Sequence, residues 1–104
     1  MIKIFKTTGN GFISIDDIEK DCWVNVSNPG PEELIKLSED LTVPLDFLTD
    51  SLDVDERSRI ETEDNTTLIV LRVPKFDKDN LGVLFTTLPL GIVLTKDIII
   101  TVYL

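Results

Sequence analysis

Eight carboxylates fall between residues 46 and 64: Asp46, Asp50, Asp53, Asp55, Glu56, Glu61, Glu63 and Asp64. Arg57 and Arg59 are the cations among them. Carboxylate oxygens suit hard cations, and Mg²⁺ keeps several waters and uses only one or two carboxylates. The same run also reads as a charged face with local ion pairs, as most charge runs do. Two loops can be tested against the EF-hand pattern. With Asp53 at position one, Asp55 falls at three, but Arg57 falls at five and Ser58 where glycine is required. With Asp77 at one, Asp79 and Gly82 fit, but Leu81 at five and Leu88 at twelve do not. Both lack essential ligands.

Other chemistry is excluded by what is missing. The chain has no histidine, which removes Ser-His and Cys-His nucleophile systems and any His-ligated zinc. Cys22 is the only cysteine, so neither an intrachain disulfide nor a cysteine zinc site can form. It reads as a small buried residue in a reducing compartment. Thr7-Thr8-Gly9-Asn10-Gly11 has glycines but no phosphate-loop lysine, so it reads as a hairpin turn. The expectation is a protein that is not an enzyme.

The chain has 104 residues, 19 acidic against 10 basic, and a net charge of −9. Such a surface repels nucleic-acid backbones and anionic lipid headgroups, and it raises the local concentration of cations. The length suits one domain spanning residues 1–104. No secretory signal is expected at the N-terminus. The longest uncharged stretch, Leu81 to Thr95, is shorter than a spanning helix and contains Gly82, Pro89 and Gly91.

The carboxylates need elements to hold them. Met1 to Thr7 and Phe12 to Ile15 read as two strands around the Gly9-Asn10-Gly11 turn, and Cys22 to Val26 as a third. Asp16 to Asp21 reads as a loop or single helical turn. Pro31-Glu32-Glu33 starts a helix: Pro suits its first position and the acids suit its positive end. Leu34, Leu37 and Leu41 give it an apolar face ending near Leu41. Pro44 starts a second, short helix with Leu45, Leu48 and Leu52 on its inner face and Phe47 beside them. Asp46 and Asp50, four apart, share a different face.

Arg59 to Glu63 alternates as a half-exposed strand. Thr67 to Val73 reads as a central strand covered on both faces. Asp77 to Asn80 reads as a solvated loop. Val83 to Leu88 and Gly91 to Thr95 read as strands bent at Pro89, and Ile98 to Leu104 as the last strand. The expected class is α/β (α+β): a mixed, largely antiparallel sheet of six or seven strands, with two or three short helices packed on it. Leu104 closes the chain on an apolar strand, as a domain cut from a longer protein would.

Three runs in series resemble the N-terminal cytosolic domain of the CorA family of magnesium transporters. The first is Trp23-Val24-Asn25-Val26-Ser27-Asn28-Pro29, with Glu32-Glu33 leading a leucine helix. The second is Val43-Pro44-Leu45-Asp46-Phe47-Leu48-Thr49-Asp50-Ser51-Leu52, followed by Glu56-Arg57-Ser58-Arg59-Ile60-Glu61. The third runs from Ile92 to Val102. The resemblance implies a homopentameric Mg²⁺ channel that often accepts Co²⁺ or Ni²⁺ and sits in the cell (inner) membrane. This domain would be cytoplasmic, with a stalk and two membrane helices outside the sequence, so the chain would not transport alone. It also implies a regulatory Mg²⁺ held between subunits, with Asp50 at the ligand position and Asp46 and Asp53 as further candidates. Some members carry a second carboxylate just before that aspartate, where this sequence has Thr49. No cofactor is expected to be tightly bound by the isolated domain. The alternative is a non-catalytic acidic protein-interaction module unrelated to transport.

Overall fold

Alternation of apolar and polar residues builds the sheet. In a computed structural model, which describes residues 1–76 and 85–104, β1 (Ile2–Thr8) turns back into β2 (Gly11–Ile15). Gly11 adopts a φ of +113°, a conformation that glycine reaches without a Cβ penalty. Thr8 Oγ1 closes the turn by accepting the Asn10 N–H and donating to the Gly11 carbonyl. β3 (Cys22–Ser27) pairs with β1 on its other side. Residues 16 to 21, between β2 and β3, form no helix.

Two helices follow. α1 (Pro31–Leu41) starts at Gly30, whose N–H donates to Glu33 Oε1 at 3.0 Å. It ends at Thr42 in the left-handed conformation, with Leu34 and Leu37 buried. α2 (Leu45–Asp50) is six residues long. β4 (Arg59–Glu63), β5 (Thr66–Phe76), β6 (Phe85–Leu94) and β7 (Ile98–Tyr103) complete one seven-stranded sheet in the order β2-β1-β3-β7-β6-β5-β4. Among the described residues, only the β3–β7 pair is parallel. The mixed, largely antiparallel sheet with two helices is therefore the expected architecture.

Register separates the two faces. Val24, Val26, Leu68, Val70, Val93, Ile100 and Val102 are buried with Phe47 and Leu48 of α2 and Leu34 and Leu37 of α1. The opposite face is open. Trp23 and Ile99 are aligned across β3 and β7, and both are exposed. Phe5, Phe12 and Trp23 cluster there with ring centroids 5.1 to 6.0 Å apart. A polar chain crosses the same face: Trp23 Nε1 donates to Thr101 Oγ1, which donates to Asn25 Oδ1, and Asn25 Nδ2 donates to Tyr103 Oη.

Three expectations need correction. β5 is not covered on both faces: Leu68 and Val70 are buried, but Leu71 is exposed, because both helices lie on one side of the sheet. Pro89 does not bend two strands apart; β6 runs through it. β7 pairs with β6 only from Gly91 to Leu94, so the missing N–H of Pro89 lies beyond that ladder and breaks none of its bonds. Leu45 is not on the inner face of α2 but 40% exposed. The loop expected at Asp77 to Asn80 and the strand start at Val83 lie outside the described residues.

The rotation of α2 has a specific cause. At about 100° per residue, Phe47, Leu48 and Ser51 share one ~100° arc, with Leu45 and Asp50 on its two flanks. All three are fully buried. Ser51 seats directly on Gly91 of β6: a Cβ at Gly91 would lie 1.8 Å from Ser51 Oγ and 2.3 Å from Ser51 Cβ. Ser51 Oγ donates to the Phe47 carbonyl at 2.7 Å, so its burial leaves no hydroxyl unpaired. Leucine spacing alone places the seam between Leu45 and Leu48, whereas the glycine draws it to Ser51.

Gly91→Ala should therefore destabilise the domain by about 1–3 kcal/mol through overpacking. The check is the urea midpoint. Ser51→Gly in the same chain should make the double variant less destabilised than the two single losses combined. Simple additivity would mean that the two positions do not press on each other.

Candidate functional site at Asp50 and Arg59

β4 carries the cation of the site. Arg59 and Glu61 are two apart on β4, and their register partners Val70 and Leu68 are buried on the helix-covered face. Period-two alternation therefore sends both side chains towards α2. Asp50 closes α2 on the flank facing them, where it is half-buried.

One guanidinium meets three carboxylates. Arg59 Nη2 donates to Asp50 Oδ2 at 2.9 Å, and Nε donates to Glu56 Oε1 at 3.0 Å. Nη1 donates to Glu61 Oε2. With all groups ionised, two negative charges stay uncompensated. Burial is the first cause that pushes the Asp50 carboxyl above its ordinary value, and Glu56 is the second. Arg59 acts against both, while Asp46 and Glu61 add to the rise. Arg59 itself is held protonated by its bonds to Glu61 and Glu56.

The loop between α2 and β4 is fixed by a second arginine. Arg72 Nη1 donates to the carbonyls of Val54 and Glu56 at 2.7 and 3.0 Å. Its Nε and Nη2 donate to Thr87 Oγ1 and the Thr87 carbonyl on β6. This ties Glu56 to the β5–β6 ribbon and so to Arg59. Asp53 Oδ1 accepts the Asp55 N–H at 2.9 Å, a turn-forming bond.

The sequence-derived ligands are thus distributed. Asp50 sits in the cluster, Asp46 is exposed on α2, and Asp53 shapes the loop with its carboxylate. Asp50's neighbours in the cluster are Glu56 and Glu61, which sequence inspection grouped only within the acidic run. The i,i+2 spacing of Arg59 and Glu61 on a strand was the available signal. Among the described residues, no three His, Cys, Asp or Glu side chains converge to hold a metal ion. The donors are nonetheless carboxylate oxygens, and Asp50 is 36% exposed, so a hydrated hard cation can reach it from the solvent side.

The raised Asp50 value sets a pH dependence. Folded Asp50 holds its proton more tightly than unfolded Asp50. The resulting stabilisation is fully present below the unfolded value and is lost as pH rises through the folded value. Asparagine cannot titrate. The stability of the native chain minus that of Asp50→Asn should therefore fall as pH rises from ~3 to ~6. Paired urea titrations at stepped pH measure that difference; a rise instead would mean that the Arg59 pairing outweighs burial.

Known proteins share this fold. The family model described as CorA-like Mg²⁺ transporter protein matches residues 19–104. The cobalt/magnesium transport protein CorA of Methanocaldococcus jannaschii is 31% identical over 81 residues, covering 78% of this chain and 24% of that protein. The complete structure of the CorA magnesium transporter from that organism superposes with a TM-score of 0.81 at 25% identity, over 99% of this chain and 32% of that one. The structure of its soluble domain gives a TM-score of 0.79 at 26% identity, over 99% and 40%. The ZntB cytoplasmic domain from Vibrio parahaemolyticus is alike in fold, with a TM-score of 0.65 at 15% identity over 96% and 42%. The chain spans about a quarter of the curated relative that it matches. With the family model matching from residue 19 to Leu104, this chain belongs to the CorA-like Mg²⁺ transporter family.

Proposed function

We propose that the chain is the cytosolic regulatory domain of a magnesium and cobalt ion transporter, and that Asp50 is one side of a regulatory divalent-cation site between identical subunits. The observation that carries this is the position of Asp50. It is 36% exposed at the end of α2, in a cluster whose carboxylates outnumber its one guanidinium. Family membership supplies the context. The relatives named above are cobalt/magnesium and magnesium transporters.

No helix among the described residues is long and apolar enough to cross a membrane. Pore and membrane attachment are assigned to segments outside this chain, in a homopentamer seated in the cell (inner) membrane. The domain neither transports nor catalyses by itself. Its part is to bias the closed assembly. A chain of net charge −9 repels its copies, and a divalent cation shared between two acidic faces relieves that repulsion. A cation that binds the closed arrangement better than the open one shifts the population towards closed. Asp50 supplies one carboxylate oxygen, and the remaining ligands are the neighbour's carboxylates and waters, which suits Mg²⁺. Thr49 contributes no carboxylate beside it.

Asp50→Ala in the full-length transporter should weaken inhibition of transport by internal Mg²⁺, raising the half-inhibitory concentration. Unchanged inhibition would remove Asp50 from the sensor. The isolated chain should bind Mg²⁺ only weakly, because one face of the site is missing. Calorimetry reporting one tight site would instead favour a metal centre contained in the domain.

A further inference from the structure

Arg59 makes the cluster more than a patch of negative charge. It engages three carboxylates through three different nitrogens: Nη2 with Asp50, Nε with Glu56 and Nη1 with Glu61. The Asp50 bond is therefore dispensable to Arg59. If Asp50 turned to another cation, the guanidinium would keep two charge-assisted partners, and no half-buried cation would be stranded. Asp50 keeps an oxygen in reserve. Its Oδ2 takes Arg59, and among the described residues Oδ1 takes no hydrogen bond.

We propose that Arg59 is a built-in competitor for Asp50, a resident monovalent cation that sets the concentration at which a divalent cation takes that carboxylate. This rests on the assignment of Asp50 to the regulatory site. The physical basis is a difference in charge between two arrangements. With Arg59 present, an approaching divalent cation meets a fixed positive charge 2.9 Å from Oδ2 of the carboxylate it needs. Without it, the ion faces Asp50, Glu56 and Glu61 alone. Arg59 thus lowers the affinity of the site and keeps it empty at low cation concentration. Glu56 and Glu61 hold the guanidinium in place, so it does not follow Asp50. Arg72 supports the device indirectly, since its bonds to the Val54 and Glu56 carbonyls hold the loop that presents Glu56. Arg59 is in this sense a positioning and tuning residue, not a ligand.

The sign separates this from a purely structural role. A residue that merely aims Asp50 at the ion would weaken cation binding when removed; a competitor would strengthen it. The test uses the full-length transporter titrated with MgCl₂. Two readouts are followed: the rise in thermal midpoint with Mg²⁺ and the half-inhibitory Mg²⁺ concentration for transport. Arg59→Gln should move both midpoints to lower Mg²⁺ by about two- to five-fold, the scale of a partly exposed ion pair. Arg59→Lys keeps the charge but not the fork, and should shift them less in the same direction. Should Arg59→Gln fail to fold, Arg59→Lys alone decides, a shift to higher Mg²⁺ overturning the proposal. Asp50→Asn should weaken the response and raise both midpoints, and Asp50→Asn with Arg59→Gln should match Asp50→Asn alone. Midpoints unmoved or raised by Arg59→Gln, with the response still weakened in Asp50→Asn, overturn the competitor role and leave the regulatory site standing. A normal response in Asp50→Asn overturns both.

Discussion

The contact between Ser51 and Gly91 governs where the acidic cluster can form. A helix of six residues has little apolar area with which to choose its own orientation. Here it is oriented by one place where the sheet lacks a side chain and the helix offers a small one. Gly91 lies in register with both Val70 and Val102, in the middle of the covered face. Ser51 fills the space above it, and Phe47 and Leu48 bury themselves on either side. Asp50, adjacent in sequence to Ser51, is carried onto one flank of the helix. It faces β4, where strand alternation has already placed Arg59 and Glu61.

The electrostatics of the cluster follow from that placement. Partly exposed ion pairs contribute only ~0–1 kcal/mol each, so the Arg59 contacts do not hold the domain together. The core beneath does so, through valines and leucines of β3, β5, β6 and β7 packed on both helices. The cluster instead stores an imbalance: one guanidinium among three carboxylates, with Asp50 the member driven by burial towards its neutral form. A group held above its ordinary value at a solvent-facing position gains from any added cation. This is the physical link between a helix docked on a glycine and the cation site proposed at Asp50.

Much of the architecture was legible in the chain. Alternation marked the strands, Pro31-Glu32-Glu33 marked the start of α1, and Gly9-Asn10-Gly11 marked the first turn, because these signals are local. The misreadings were equally physical. Thr67 to Val73 carries apolar residues on both faces, which resembles a fully covered strand. Its outward side is nevertheless half open, as Leu71 shows. Pro89 looked like a break because its consequence depends on where β7 ends, and that is a property of another strand. Leu45 fitted a leucine face that the Gly91 contact then rotated away.

The site divides in the same manner. Sequence by itself determined the chemistry available: carboxylates in number, no histidine, one cysteine, and motifs resembling one transporter family. It also placed Asp50 on a short helix and Arg59 and Glu61 at alternate positions of one strand. Only the tertiary structure decided that these belong together, that Asp46 and Asp53 stand apart, and that an arginine sits among the acids. Helix and strand periods act over a few residues, so sequence can express them. The docking of α2 on β6 joins residues forty apart through a missing Cβ, and no local pattern announces which glycine will receive which serine.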